Sequence, residues 1–243
     1  KETKLMKKMM AILAALVLSL GALGAAAEET PSLSGVVIGL EAGGVLIRTQ
    51  EAGEVLVKFS EETQFEGSGQ ASLQEALAPG AYLTVLYNGA MTRSLPPQIT
   101  ADQIIQHKIS GIVTQVSENG VLVDRGDEGG EVFVHLEEGM RPLFYGSPVT
   151  VYFSGIMALS YPAQMGALHY TTPTLTGTVS QVDDGFFLMT DDQGLSYRVN
   201  CDDGTHFEGA MREGGRVSVY YSGAATFSLP AQIYGIAVFQ EAE

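Results

Sequence analysis

Three copies of one short element carry the side chains best placed to bind something. Ser94-Leu95-Pro96-Pro97-Gln98, Ser160-Tyr161-Pro162-Ala163-Gln164 and Ser228-Leu229-Pro230-Ala231-Gln232 share the form Ser-x-Pro-x-Gln. The hydroxyls of Ser94, Ser160 and Ser228, the amides of Gln98, Gln164 and Gln232 and the ring of Tyr161 are hydrogen-bonding and stacking groups. A loop on a rigid scaffold is a common place for such groups to meet a ligand. A structural role competes and is favoured: Pro fixes a turn at a sheet edge while the Gln amide bonds nearby backbone. Folding constraints act on every copy, whereas one binding site needs only one.

Other reactive residues form no constellation. The pairs Asp183-Asp184, Asp191-Asp192 and Asp202-Asp203 offer oxygen ligands for calcium, but none follows the spaced acidic loop of an EF-hand. Each lies near a Gly, where Asp is expected as a turn former. His107, His135, His169 and His206 share no metal-ligand spacing, so surface or strand positions are expected of them. Cys201 alternates with Tyr197 and Val199 and so faces a core; its pairing with His206 as a nucleophile lacks a basic neighbour. No Gly-x-Ser-x-Gly elbow, phosphate loop or zinc-binding helix is present. No cofactor, metal or catalytic set is expected.

The elements that position the loops repeat as well. Gly89, Gly155 and Gly223 each stand five residues before the Ser of the motif, and they recur at intervals of 66 and 68. Gly35, Gly111 and Gly177 open a first strand in each copy, and Gly43-Gly44, Asn119-Gly120 and Asp184-Gly185 are tight hairpin turns. The runs Val45-Leu46-Ile47, Val121-Leu122-Val123 and Phe186-Phe187-Leu188-Met189 are second strands, and Val55 to Phe59 and Val132 to Leu136 are third strands. Strand four alternates with period two: Leu83, Val85 and Tyr87 match Val149, Val151 and Phe153, and Val217, Val219 and Tyr221. A fifth strand follows each Pro-containing loop. Between strands three and four, the first copy alone carries Ala71 to Leu77, a short helix capped by Ser72 with Glu75 three residues on.

These features predict an all-β chain of three tandem five-stranded barrels at 33–106, 109–170 and 175–239, the first with a short helix. Short linkers are expected at about 106–109 and 171–174. Five antiparallel strands with a variable insertion between the third and fourth resemble the oligonucleotide/oligosaccharide-binding (OB) barrel. The whole is similar to exported bacterial proteins of tandem OB-like domains, an uncharacterised family, and this resemblance implies no catalytic residues. Tyr152, Tyr161 and Tyr220 could stack on sugar rings or on protein partners; packing between neighbouring barrels is the preferred expectation, since repeats bury their contacts.

Compartment follows from the first residues. Lys1, Lys4, Lys7 and Lys8 precede an apolar run from Met9 to Leu20, and Ala25-Ala26-Ala27 then precedes Glu28. That layout predicts a secretory signal peptide over 1–27 and a secreted or cell-envelope protein. A membrane association is expected only if this leader stays uncleaved. Net charge is −15, and without the first 27 residues the remaining 9 basic and 27 acidic side chains leave −18. So negative a surface predicts no nucleic-acid partner. The expected function is a non-catalytic extracellular binding module for an envelope protein or polysaccharide. An acidic structural or cation-dependent spacer is the alternative, and a hydrolase with a site between repeats the least favoured.

Overall fold

The computed structural model describes residues 30–67 and 76–241. The predicted leader, and Ser72 and Glu75 of the predicted helix, lie outside the described residues. Ser32–Glu243 clusters as one compact unit. Within it the first barrel comprises β1 (Ser32–Glu41), β2 (Gly44–Thr49), β3 (Gly53–Lys58), the short β4 (Gln64–Gly67), β5 (Tyr82–Tyr87) and the first half of β6 (Gln98–Ser117). The second takes the other half of β6 with β7 (Gly120–Asp124), β8 (Glu131–His135), β9 (Pro148–Phe153), β10 (Ala163–Gly166) and β11 (His169–Thr171). The third comprises β12 (Thr174–Asp183), β13 (Phe186–Asp191), β14 (Ser196–Asn200), β15 (His206–Glu208), β16 (Arg216–Tyr221) and β17 (Ala231–Gln240).

Each barrel closes in the same way. Strands one, two and three form an antiparallel meander, and strand one also pairs antiparallel with strand four, as in β1 with β5, β6 with β9 and β12 with β16. Strand five then runs antiparallel to strand four and parallel to strand three, with Leu56 opposite Gln98, Phe133 opposite Gln164 and Arg198 opposite Gln232. This is the OB-like closure. The alternation read from strand four is borne out, because Leu83, Val85, Val149, Val151, Val217 and Val219 are at most 3% exposed. Burying such a side chain contributes about 1.5–3 kcal/mol. Additional to the five predicted strands are β4 and β15, which pair parallel with β6 and β17.

The glycine that opens each copy has a steric cause. A Cβ on Gly35, Gly111 or Gly177 would lie 2.5 Å from Arg48 O, 2.3 Å from Asp124 O or 2.3 Å from Thr190 O, so the hairpin backbones touch there. Immediately beyond, the register of strand one shifts in every copy, between Val37 and Gly39, Val113 and Gln115, and Val179 and Gln181. Such bulges bend a strand sharply, and a small barrel needs the bend to close.

The expected linker at 106–109 does not exist as a linker. β6 runs unbroken from the first barrel into the second, and Gln106 is 3% exposed with its Nε2 donating to Ala76 O (3.0 Å) and Tyr82 O (3.3 Å). A shared strand fixes the first junction, since a buried amide with satisfied bonds resists opening. At the second, only Thr172 and Pro173 separate β11 from β12.

Gly111→Ala is expected to destabilise the protein by about 1–3 kcal/mol in denaturant titration, the usual cost of overpacking. Gly39→Ala, whose Cβ meets nothing within 4 Å, is the matched control and should stay within about 0.5 kcal/mol of the parent.

Candidate functional site

The Ser-x-Pro-x-Gln loops join strand four to strand five, and their polar groups are consumed internally. In the first, Asn88 Oδ1 accepts from Ala90 N (2.9 Å), Thr92 N donates to Gln98 O (3.0 Å), Gln98 N donates to Thr92 Oγ1 (2.8 Å) and Ser94 Oγ donates to Pro96 O (2.8 Å). In the third, Thr226 N donates to Gln232 O (3.0 Å), Gln232 N to Thr226 Oγ1 (2.8 Å) and Ser228 Oγ to Pro230 O (2.8 Å). The second has Ala158 where these have Thr, so Gln164 N bonds Ala158 O instead (3.2 Å), while Ser160 Oγ still donates to Pro162 O (2.7 Å). The bonds Leu95–Pro96, Tyr161–Pro162 and Leu229–Pro230 are all cis. Ser94, Ser160 and Ser228 thus hold the loops. Gln98 and Gln232 act through backbone rather than the expected amide, and only Gln164 uses its side chain, accepting from His135 Nε2 (3.1 Å).

What the internal bonds leave over is apolar. Leu95 (97%), Leu159 (98%), Tyr161 (102%), Phe227 (109%) and Leu229 (100%) are fully exposed at the loop tips. None contributes to closing a barrel. Leu195, Tyr197 and Leu188 of the third barrel line a cleft of about 610 Å³ whose other wall is Leu229-Pro230-Ala231. Tyr161 was expected between barrels and instead points to solvent, because its loop position lies beyond the last strand pairing. The sequence signal for the other four was available: large apolar residues beside Ser and Pro where turn chemistry favours polar ones.

The remaining candidates fall into structural roles. Asp183, Asp184, Asp202 and Asp203 line one cleft of about 460 Å³. Among the described residues no group of three or more His, Cys, Asp or Glu is placed to hold a metal. Asp191 Oδ1 accepts from Gln193 N (2.9 Å) and Leu195 N (2.8 Å), as a turn former does. Asp192 takes two bonds from Arg216 (2.8 and 2.7 Å), which hold its carboxyl below the usual range. Tyr234 OH donates to Asp202 Oδ1 (2.5 Å), and chiefly for that reason Asp202 is also lowered. Burial pushes the half-buried Cys201 thiol up to about 11, so it is no nucleophile at neutral pH. His206 does not serve it; the ring stacks on Phe144 at 4.4 Å.

Three histidines, expected on surfaces or strands without common purpose, mark the junctions. His169 of β11 lies between Tyr82 of the first barrel (6.0 Å) and Tyr152 of the second (5.9 Å). His107 lies 5.8 Å from Phe153, and His206 of the third barrel meets Phe144 of the second. Tyr152 and Tyr220 are buried there as expected, Tyr152 in the core of the first barrel and Tyr220 against Phe239 at 4.9 Å.

Five antiparallel and parallel pairings common to every copy, repeated three times around separate cores, define a tandem array of OB-like barrels. No family model matches the chain, and no curated protein does. Among solved structures it is similar to a multidomain protein with nucleic acid binding domains from Streptococcus pneumoniae TIGR4, at 13% identity over 84% of this chain and 73% of that one, with a TM-score of 0.21. It is similar also to Drosophila Unr CSD456, at 13% identity over 88% of this chain and 98% of that one, again with a TM-score of 0.21. The exclusion of nucleic acid drawn from net charge is withdrawn, since the first of these structures is described as having nucleic acid binding domains. Summed charge is a long-range quantity and leaves the local chemistry of a face undecided.

Burial between two tyrosines lowers the pKa of His169, more than the Gly80 backbone bond raises it. The folded protein therefore favours the neutral ring. Stability from this residue is present above the unfolded pKa of about 6.5 and is lost as pH falls below it. Between pH 7 and 5 the melting temperature of the parent is expected to fall more steeply than that of His169→Phe, which keeps the stacking without the titration.

Proposed function

We propose that this chain is a non-catalytic binding module, exported by its first 27 residues to the exterior or cell envelope, that recognises a protein through the apolar tips of its Ser-x-Pro loops. One observation carries the reading: loops whose hydrogen bonds are spent on holding their own shape present five fully exposed large apolar side chains. Leaving such side chains in water forgoes the roughly 25 cal/mol per Å² that burial returns. A loop already fixed loses little entropy on docking, which is the condition for tight binding by few contacts.

A polysaccharide partner belongs to the same reading but fits the tips less well. Sugar rings stack on aromatic faces, and only Tyr161 and Phe227 of the five supply one. Leu95, Leu159 and Leu229 suit apolar pockets in a protein surface. Export rests on the basic, apolar and small-residue segments of the leader.

The test is capture of envelope and secreted proteins by the immobilised protein, set against a variant with Leu95→Ser, Tyr161→Ser, Phe227→Ser and Leu229→Ser. Exposed substitutions of this kind leave stability within about 0.5 kcal/mol each, so the variant is expected to melt like the parent. Any partner held by the parent should be lost from the variant by tenfold or more in Kd. Equal capture by both would remove the loops from the interface, and capture of polysaccharide alone would replace the protein partner.

A further inference from the structure

The middle barrel lacks a strand pairing that both its neighbours have. In the first barrel β4 lies parallel to β6, with Phe65 opposite Ile104; in the third β15 lies parallel to β17, with Phe207 opposite Val238. These strands belong to segments of one pattern, Thr63-Gln64-Phe65-Glu66-Gly67 and Thr205-His206-Phe207-Glu208-Gly209. Each Thr anchors its segment through Oγ1, which donates to Ala101 O or to Gly235 O (both 2.7 Å). Tyr170 of β11 stands six residues after Gln164, as Ile104 does after Gln98 and Val238 after Gln232. Among the described residues, however, β11 pairs with β9 alone.

The sequence accounts for the difference. The second copy has Met140-Arg141-Pro142-Leu143-Phe144 at the place of the two Thr-x-Phe-Glu-Gly segments. Met140 brings no hydroxyl to Ala167 O, the counterpart of Ala101 O and Gly235 O. Pro142, standing where the others have Phe, has no N–H to give to a ladder. The Tyr170 side chain spans the gap instead, its OH donating to Arg141 O (2.5 Å). Leu143 is 1% exposed in the core, so the barrel is filled within and open along one edge.

A cleft of about 450 Å³ lies beside that edge, lined by His169, Tyr170 and Thr171 of β11 and by Met140 and Arg141. In a chain of net charge −15 no carboxylate lines it, whereas the exposed Arg141 does. The local charge therefore suits an acidic side chain, and the volume lies in the range of ligand sites.

We propose that the open edge of β11 takes an extended segment of a partner protein, parallel to it and carrying Phe followed by Glu, as β4 and β15 do. Main-chain bonds to a free edge give such an added strand its affinity, and its side chains give selectivity. In the first barrel Glu66 accepts from Gln103 Nε2 (2.9 Å), and the counterpart of Gln103 is His169. The incoming Glu thus reaches a face where His169 and Arg141 replace an amide. The Ser-x-Pro loops take no part, so this surface and the loop-tip reading stand or fall separately.

The probe is a fluorescent peptide with the sequence of residues 203–211, titrated into the full chain and followed by anisotropy. Saturable binding is expected, weakened about tenfold when Pro replaces the peptide's Phe, which removes both a donor and the ring. Met140→Thr with Pro142→Phe restores a hydroxyl and an N–H to the chain's own segment and should weaken peptide binding by a similar factor, because the edge is then filled from within. Hydrogen exchange locates the peptide: amides of β11 should slow on binding while those of the third barrel keep their rates. No saturable binding, equal affinity for the Pro peptide, or slowing elsewhere than at β11 overturns the proposal, whether or not the double variant folds. The loop-tip variant is expected to bind the peptide with the parent's Kd; loss of binding there would transfer the peptide to the loops and overturn the edge.

Discussion

The fold depends on bringing the start of strand five into parallel register beside strand three. Without that pairing each meander of strands one to three, with strand four alongside, would be an open sheet with an edge exposed to other chains. The Ser-x-Pro-x-Gln element stands where the chain must turn from strand four to deliver this strand. In all three copies the Gln lies opposite the same strand-three position, at Leu56, Phe133 and Arg198. The Ser hydroxyl and the backbone of Gln are spent on fixing that turn. Their repetition is therefore a record of closure rather than of recognition.

This division of labour within one motif separates scaffold from surface. Residues that repeat in type, namely Ser94, Ser160 and Ser228 with their Pro and Gln partners, are held by internal bonds. The residues between and beside them vary among Arg, Leu, Tyr and Phe and carry the exposure. Recognition, on this view, resides in the variable positions, which closure leaves unconstrained. Three loops with different tips on equivalent frames give the chain three different exposed surfaces for one folding solution.

The junctions follow another rule. Each barrel after the first buries an outward tyrosine of its fourth strand, Tyr152 or Tyr220, against its predecessor or its own last strand, and a histidine accompanies each contact. With β6 shared by two barrels, the first junction is a continuous piece of sheet. Where the three barrels meet around the central cleft, Arg141 lies over the Phe239 ring, and among the described residues no carboxylate pairs with it.

The repeat, five strands of each copy and the alternation of strand four could be read from the sequence, because spacing and period depend only on local chain geometry. Gly35, Gly111 and Gly177 were legible as markers, although the carbonyl contacts that require them arise only when strands one and two pair. The additional strands β4 and β15 have no alternation to read, being short and made by pairing alone. Ser and Gln of the loops were visible as residues, whereas which of their atoms would be consumed was settled by the register of strands three and five. Tyr161 and Tyr152 illustrate the limit: both are tyrosines in the second copy, and only tertiary packing sent one into a neighbouring core and the other fully into water. Arg141, Thr172 and Tyr220 lie far enough apart in sequence that no pattern links them; they share a cleft because three barrels meet around it. Local constraints act along the chain and are written in it, whereas a shared cleft is a property of surfaces that meet only after folding.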